Sequence, residues 1–119
     1  MMNKINNDLP VSIFKTENGN GLLQAFGLLK ILSNIHRLSI VCLLSEYELS
    51  VNELADLVEL NQSTLSQHLS ILKKANLVKI RRDHNKLYYS LSSQEVETVI
   101  NTLKGLYCTD MIKNSTNKK

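Results

Sequence analysis

The sequence predicts a mainly helical α+β fold with the element order ααααββα. Five segments repeat their apolar residues at the three- and four-residue spacing of an amphipathic helix. One segment, from Leu77 to Leu91, instead carries the branched and aromatic residues of two strands around a polar turn, Asp83 to Lys86. The 119 residues include only 4 Gly and 1 Pro, so length and composition suit one small domain.

Leucine-rich stripes define the first two helices. A first helix is predicted near residues 20–33. Its apolar stripe consists of Leu22, Leu23, Phe26, Leu29 and Leu32. Asn34 is able to cap a second helix, near residues 35–46, in which Leu38, Val41 and Leu44 share one face. Residues 1–20 are largely polar and are expected to form a flexible N-terminal arm.

N-cap signals define the third and fourth helices. Ser50 and Glu53 have the spacing of a capping box, so a short third helix is predicted to run to about Val58. Its stripe consists of Val51, Leu54, Ala55 and Val58. Asn61 is a predicted N-cap for a fourth helix over residues 62–75. The core face of the fourth helix consists of Leu65, Leu69 and Leu72.

A last helix follows the hairpin. Ser92 and Glu95 repeat the capping-box spacing, and the helix is predicted from about residue 93 to 110. Its apolar stripe consists of Val96, Val99, Ile100, Leu103, Leu106 and Tyr107. We therefore expect a folded domain over residues 21–110, followed by a polar, frayed tail over residues 111–119.

Charge is concentrated in one part of the chain. The net charge is only +3, but residues 60–90 hold six Lys and Arg residues against the single acid Asp83. Residues 44–59 hold five acids and no Lys or Arg. A focused basic patch suits contacts with nucleic-acid phosphates. On charge alone, a solvated basic face is an equal alternative.

The face of the fourth helix opposite its leucines carries hydrogen-bonding side chains, of which the serines are short. These residues are Gln62, Ser63, Ser66, Gln67, Ser70 and Lys73. Short side chains let a helix approach the floor of the major groove, and Gln67 is long enough to reach a base edge. Ser63 and Thr64 lie in the first turn, where free backbone N–H groups bind phosphate. We interpret His68 as a positioning or phosphate-contacting residue rather than a metal ligand. The alternative is an ordinary amphipathic helix with a Ser-rich surface.

Cationic side chains cluster at the hairpin turn. They are Arg81, Arg82, His84 and Lys86, which we assign to phosphates and, for one Arg, to the minor groove. A charged turn that only protects a sheet edge is the alternative. A short polar helix beside a basic hairpin is the arrangement of a winged helix-turn-helix, whose helix enters the major groove. Double-stranded DNA is therefore the expected partner.

Over about residues 22–110 the chain resembles the ArsR/SmtB family of bacterial winged-helix repressors. The matching segments are I-H-R-L-S-I, L-S-V-N-E-L-A, Q-S-T-L-S-Q-H-L-S-I-L, A-N-L-V and K-L-Y-Y-S-L. The resemblance implies a homodimer, formed through the first and last helices, that binds an inverted-repeat operator. The alternative is that the apolar stripes of these two helices only complete the core of a monomer.

The family resemblance also bears on metals. Metal-sensing members carry Cys in the third helix or His in the last helix, and neither is present here. Zinc requires about four N or S ligands, whereas His36, His68 and His84 are scattered. We therefore predict no metal site and no cofactor. A metal-responsive repressor, using His36, His84 or the cysteines, remains the alternative.

The two cysteines occupy informative positions. Cys42 lies in the second helix and Cys108 near the end of the last, as in the dithiol subgroup of the family. That resemblance implies a sensor of persulfides, polysulfides or oxidants, in which linking the two sulfurs changes operator affinity. No signal peptide or membrane span is evident, and a cytosolic location suits a transient redox pair. The alternative is a regulator without thiol sensing, in which both cysteines are small hydrophobic residues.

Two other classes of protein are alternatives to a transcription regulator. A winged helix used only for protein contacts would lack a steep salt dependence of DNA binding. A thiol enzyme would need a Cys–His–acid constellation, and the sequence contains neither this nor a Gly-rich phosphate loop. No enzymatic activity is predicted.

Overall fold

The structure, a computed structural model, describes residues 20–108, which form five helices and a three-stranded antiparallel sheet. In chain order the elements are α1 (Gly21–Leu32), α2 (Ile35–Leu44), β1 (Leu49–Ser50), α3 (Val51–Val58), α4 (Gln62–Lys74), β2 (Val78–Asp83), β3 (Lys86–Leu91) and α5 (Gln94–Tyr107). The predicted mainly helical α+β class is confirmed. The predicted tail, and the predicted arm apart from Asn20, lie outside the described residues.

The chain divides at Asn34 into two compact units. The described part of the first unit is essentially α1, whose predicted apolar stripe is largely solvent-exposed: Leu23, Phe26 and Leu29 are 70%, 59% and 60% exposed. The Lys30 ammonium lies 5.9 Å from the centroid of the Phe26 ring, within range of a cation–π contact. One side of α1 is therefore apolar and open in the single chain.

The second unit has one apolar core, to which α2, α3, α4, the sheet and α5 contribute. Its buried residues are Ile40, Val41, Leu44, Leu54, Leu65, Leu69, Leu72, Leu77, Val78, Val96 and Ile100. The leucine face predicted for α4 is thus confirmed as a core face. Because those leucines are buried, the polar side chains of α4 are directed to solvent.

Three local features define the turn between α3 and α4. The predicted capping box is present: Ser50 Oγ accepts from the Glu53 N–H at 3.2 Å, and the Ser50 N–H donates to Glu53 Oε1 at 2.8 Å. Glu59 ends α3 in the left-handed region, with φ 58°. Asn61 then caps α4, as predicted, by accepting from the Thr64 N–H at 2.8 Å.

The sheet contains one strand more than predicted. β1 pairs with β3 (Leu49 opposite Tyr89), and the sheet order is β1-β3-β2. Two residues are too few to show an alternating pattern, so only the pairing reveals this strand. The observed turn is also shorter than the predicted one. Asp83 and Lys86 are paired in the strands, which leaves His84 and Asn85 as the loop.

The predicted cap of α5 is wrong by one residue. Ser93, not Ser92, accepts from the Val96 N–H, at 3.1 Å, and its hydroxyl donates to Glu95 at 3.0 Å. The Ser92 hydroxyl instead donates to the carbonyl of Asn76 at 2.8 Å. Ser92 is therefore used to join the end of β3 to the turn after α4, and only the tertiary structure brings that carbonyl near.

Among residues 20–108, no single helix is long and apolar enough to span a membrane. The helices α1 and α2 reach that length and composition only as a pair separated by a break.

Candidate nucleic-acid interface and thiol pair

The predicted DNA-contacting face of α4 lies on the surface of the second unit. Six of its side chains are exposed, namely Gln62, Ser63, Ser66, Gln67, Ser70 and Lys73, while Thr64 and His68 are half-buried. Ser66, Gln67 and Ser70 occupy the middle of this face, directed away from the buried Leu65 and Leu69. The arrangement offers hydroxyl and amide groups on a narrow helix surface, which suits the major groove.

The N-terminus of α4 is fixed by side chains of its neighbours. The Gln62 amide donates to the side-chain oxygen of Asn52 in α3. Asn61 satisfies the backbone N–H of Thr64, while the first amides of any helix lack partners within the helix. The backbone N–H groups of Gln62 and Ser63 therefore supply the positive end of the α4 dipole, to which a phosphate can bind.

His68 packs against the start of α2. Its Nδ1 lies 3.5 Å from the Arg37 guanidinium, and its ring lies 5.6 Å from the ring of His36. Burial lowers the pKa of His68, and the neighbouring Arg37 and His36 lower it further. The neutral imidazole is therefore favoured, and of the two roles considered for His68 the geometry supports positioning of α4.

The lowered pKa of His68 leads to a prediction about stability. A group whose pKa is lower in the folded than in the unfolded protein stabilises the fold above the unfolded value, and that contribution is lost as the pH falls through the folded value. We expect urea midpoints to fall from pH 7 to pH 5, and to fall less in His68→Gln. Unfolding at pH 8 is the reference, since His68 is neutral in both states there. Parallel curves for the two proteins would contradict the prediction.

Arg81 is already engaged by acids in the unbound protein. Its guanidinium donates to both carboxylate oxygens of Glu48 at 2.9 Å and lies 3.8 Å from Asp83. It also stacks on Tyr88, 4.8 Å from the ring centroid. The hydrogen bond from Arg81 lowers the pKa of Glu48. Sequence reasoning missed Glu48, because the antiparallel pairing of β1, β3 and β2 brings these residues together.

The remaining cations of the hairpin are more accessible. Arg82, His84 and Lys86 are exposed, and we call these three residues the wing tip. His84 lies in the two-residue loop with φ 58°, and its Nδ1 is 2.8 Å from Asp83. The wing tip thus presents basic groups at the end of the hairpin, in a position to contact a phosphate backbone.

The two cysteines lie on helices that are joined by Lys104 of α5, which contacts Ser45 and Glu46 just after α2. Both are free and half-buried, and Cys108 is the C-cap of α5. Burial raises the pKa of the Cys42 thiol; the Lys104 ammonium opposes this rise, while Cys108 and Glu46 add to it. Although 65 residues separate the two cysteines in the sequence, both therefore belong to the part of the second unit where α5 contacts the end of α2.

A polar bridge lies beside the thiol pair. The Lys104 ammonium donates to Ser45 Oγ at 3.0 Å and lies 2.6 Å from the Glu46 carboxylate. The Ser45 hydroxyl in turn donates to the carbonyl of Cys42 at 2.6 Å. Sequence reasoning missed this bridge. The available signal was the four-residue spacing of Lys104 to Cys108, which places both on one face of α5.

The described residues were also considered as metal ligands. Within residues 20–108, no three His, Cys, Asp or Glu side chains come together in a way that could hold a metal ion.

Cys42 lines an open groove of about 460 Å³ whose walls include Ile35, Leu38, Leu57 and Val58. One side of Cys42 therefore faces an apolar surface between α2 and α3.

Comparison with known proteins agrees with this geometry. The family model for bacterial regulatory proteins of the arsR family matches residues 36–79, from α2 into β2. The transcriptional activator HlyU from Vibrio cholerae is 42% identical over 99 residues, which cover 83% of this chain and 90% of HlyU. The class of these relatives is regulatory rather than enzymatic.

Solved structures show the same fold. Reduced HlyU from Vibrio cholerae has a TM-score of 0.73 at 44% identity, covering 77% of this chain and 97% of HlyU. The transcriptional repressor BigR from Xylella fastidiosa has a TM-score of 0.68 at 36% identity, covering 71% of this chain and 87% of BigR. The homodimeric winged helix-turn-helix DNA-binding domain Mb0332 from Mycobacterium bovis has a TM-score of 0.68 at 28% identity. The match covers 81% of this chain and 90% of Mb0332. The chain therefore belongs to the ArsR family of winged helix-turn-helix, DNA-binding transcriptional regulators.

Proposed function

We propose that the protein is a homodimeric regulator whose operator affinity depends on the redox state of Cys42 and Cys108. The observation that supports the proposal is the contact of α5 with the C-terminal end of α2, where the Lys104 ammonium donates to Ser45 and the Ser45 hydroxyl donates to the carbonyl of Cys42. Reactive sulfur species or oxidants are the proposed inducers. Both sensing residues lie in the same unit as the DNA-binding elements, so linking them acts directly on that unit.

The DNA-facing part of the proposal uses α4 and the wing tip. Ser63, Ser66, Gln67 and Ser70 contact the major groove, while the wing tip and Lys73 contact phosphates. In a dimer the two copies of α4 address the half-sites of an inverted repeat, about 34–36 Å apart. His68 supports α4 from behind, through its contacts with α2.

Apolar residues exposed on two helices support self-association. On α1 these are Leu23, Phe26 and Leu29, and on α5 they are Leu106 and Tyr107, which are 65% and 81% exposed. Large apolar side chains exposed on a helix are typically covered by a partner. Since Cys108 directly follows Leu106 and Tyr107, a change at the thiol pair acts on the proposed dimer surface and so on the spacing of the two α4 helices.

The proposed chemistry is sulfur transfer followed by closure. The Cys42 thiolate attacks the outer sulfur of an alkyl persulfide, RSSH, which forms Cys42–S–SH and releases RS⁻. The Cys108 thiolate then attacks Cys42 Sγ, which forms the disulfide and releases HS⁻. Two thiols are oxidised and one persulfide is reduced to a thiol and hydrogen sulfide. When both cysteines are persulfidated first, attack of one persulfide on the Sγ of the other leaves a trisulfide and releases HS⁻.

DNA affinity before and after persulfide treatment tests the proposal. Reduced protein first selects a binding fragment from a random duplex pool, and fluorescence anisotropy then compares reduced and glutathione-persulfide-treated protein. We expect an affinity change of about tenfold, within the range of about 5- to 150-fold typical of coupled sites. Mass spectrometry should show Cys42 and Cys108 peptides joined through sulfur.

Single substitutions provide the controls. Cys42→Ala and Cys108→Ala should each bind the fragment like the reduced protein and should not respond to persulfide. Cross-linked protein that binds as tightly as the reduced form would refute thiol control of DNA binding. A response retained in both variants would assign sensing to another site.

A further inference from the structure

We propose that Lys104 is a positioning residue for the thiol pair: its ammonium holds α5 against the C-terminal end of α2, one hydroxyl group away from the Cys42 carbonyl, and so controls the reactivity of Cys42. This deepens the proposed function and depends on it for its biological meaning. The distances around Lys104, its burial and the direction of the α2 dipole carry the argument.

Lys104 makes two contacts across the seam between the helices. Its ammonium reaches Ser45 Oγ at 3.0 Å and Glu46 Oε2 at 2.6 Å. The Lys104 side chain is only 23% exposed, whereas that of Glu46 is 52% exposed. A partly buried ammonium is less screened by salt than a surface charge, so its field acts more strongly on its neighbours.

The bridge and the thiols lie on the same helix faces. Ser45 and Glu46, in the turn directly after α2, follow Cys42 by three and four residues, and Cys108, the C-cap of α5, follows Lys104 by four. Residues at these spacings are neighbours on a helix surface. The Cys108 N–H also donates to the carbonyl of Lys104 at 2.8 Å. Lys104 therefore sets the separation of the helices about one turn from the cysteines.

The position of Cys42 in α2 makes a nearby cation important. α2 ends at Leu44, so Cys42 lies in its last turn, where the helix dipole disfavours a negative charge. Burial raises the pKa of Cys42, and Cys108 and Glu46 raise it further; Lys104 is the neighbour that lowers it. Because the thiolate is the reactive form of cysteine, Lys104 offsets a placement that would otherwise suppress reactivity.

Alkylation of Cys42 tests this role without any persulfide. Both proteins carry Cys108→Ala, and one also carries Lys104→Met. The rate at which iodoacetamide alkylates Cys42 is measured in each protein as a function of pH by mass spectrometry. We expect the midpoint of the Lys104→Met profile to rise by about one unit, with a fall of about tenfold in rate at pH 7, since one pKa unit is a tenfold change in thiolate fraction. Lys104→Arg should retain the original profile.

Two further variants keep the test decisive. Glu46→Gln removes an anion that raises the Cys42 pKa and leaves the Ser45 partner of Lys104, so its midpoint should move in the opposite direction, downward. Lys79→Met removes an exposed cation on β2 and should leave the profile unchanged. Should Lys104→Met fail to fold, the sign of the Glu46→Gln shift still decides whether this bridge controls Cys42.

The outcomes separate the two proposals. Identical pH profiles for Lys104 and Lys104→Met, or an upward shift in Glu46→Gln, would overturn the role of Lys104 while leaving persulfide control of DNA binding intact. If the unaltered protein fails to link its cysteines with persulfide, the proposed function fails, and the alkylation profiles still report on Lys104. In protein with both cysteines, Lys104→Met should slow cross-linking by a similar factor without changing reduced DNA affinity.

Discussion

We expect Ser66→Glu to weaken operator binding by about 100-fold or more, equivalent to about 2.7 kcal/mol. Ser66 is exposed in the middle of the α4 face between Gln62 and Ser70. Glutamate there removes a short hydroxyl and places a carboxylate among the phosphates that flank the major groove. In the proposed dimer the change occurs twice on each operator, which increases the loss.

The same substitution should leave the fold intact, because Glu is a better helix former than Ser at an exposed position. Anisotropy titration at low ionic strength measures the loss of affinity, and urea unfolding checks stability. Gln94→Glu, which adds the same charge at the exposed start of α5, is the matched control and should bind almost normally. Equal binding by Ser66→Glu and the unaltered protein would refute the assignment of this face to DNA.

The second large effect concerns the opposite face of the same helix. We expect Leu65→Ala to lower the free energy of unfolding by about 3 kcal/mol, within the range of about 2–5 kcal/mol for large-to-small core substitutions. The Leu65 side chain is 0% exposed, so its removal leaves a cavity beneath α4. For a domain of this size the melting temperature should fall by roughly 12–24 °C.

Ile71→Ala on the same helix provides the comparison. Ile71 is 41% exposed, so less apolar surface returns to water, and we expect a cost below about 1 kcal/mol. Both variants are compared at one protein concentration, because association would make apparent stability depend on concentration. Similar losses for the two variants would contradict the assignment of Leu65 to the core.

The helices were predictable because their signals are local. The i, i+3, i+4 spacing of leucines in α4, and the caps at Ser50 and Asn61, act within one or two helical turns. By contrast, β1 is two residues long and exists only through its pairing with β3. The cap of α5 was assigned to Ser92 because its spacing to Glu95 is acceptable. The competing carbonyl of Asn76, 16 residues earlier, is brought near by the hairpin.

The candidate site divides in the same way. The polar face of α4 follows from periodicity, since burying one face of a helix exposes the other. The partners of Arg81 and Lys104 are 33 and 59 residues away, and no local pattern selects Glu48 or Ser45 from the other acids and hydroxyls. The expectation that Cys42 and Cys108 meet came from family resemblance, because spacing alone cannot bring two distant residues together.

By itself, the sequence determined the helix order, the core face of α4, and the polar surface of α4 that we assign to DNA. These depend on hydrophobic periodicity and on caps that involve neighbouring residues. Only the tertiary structure decided that Glu48 engages Arg81, that His68 is held neutral against α2, and that Lys104 lies beside the thiol pair. The physical reason is that charge interactions act over a few ångströms in space, and the packing of the helices and sheet sets those distances.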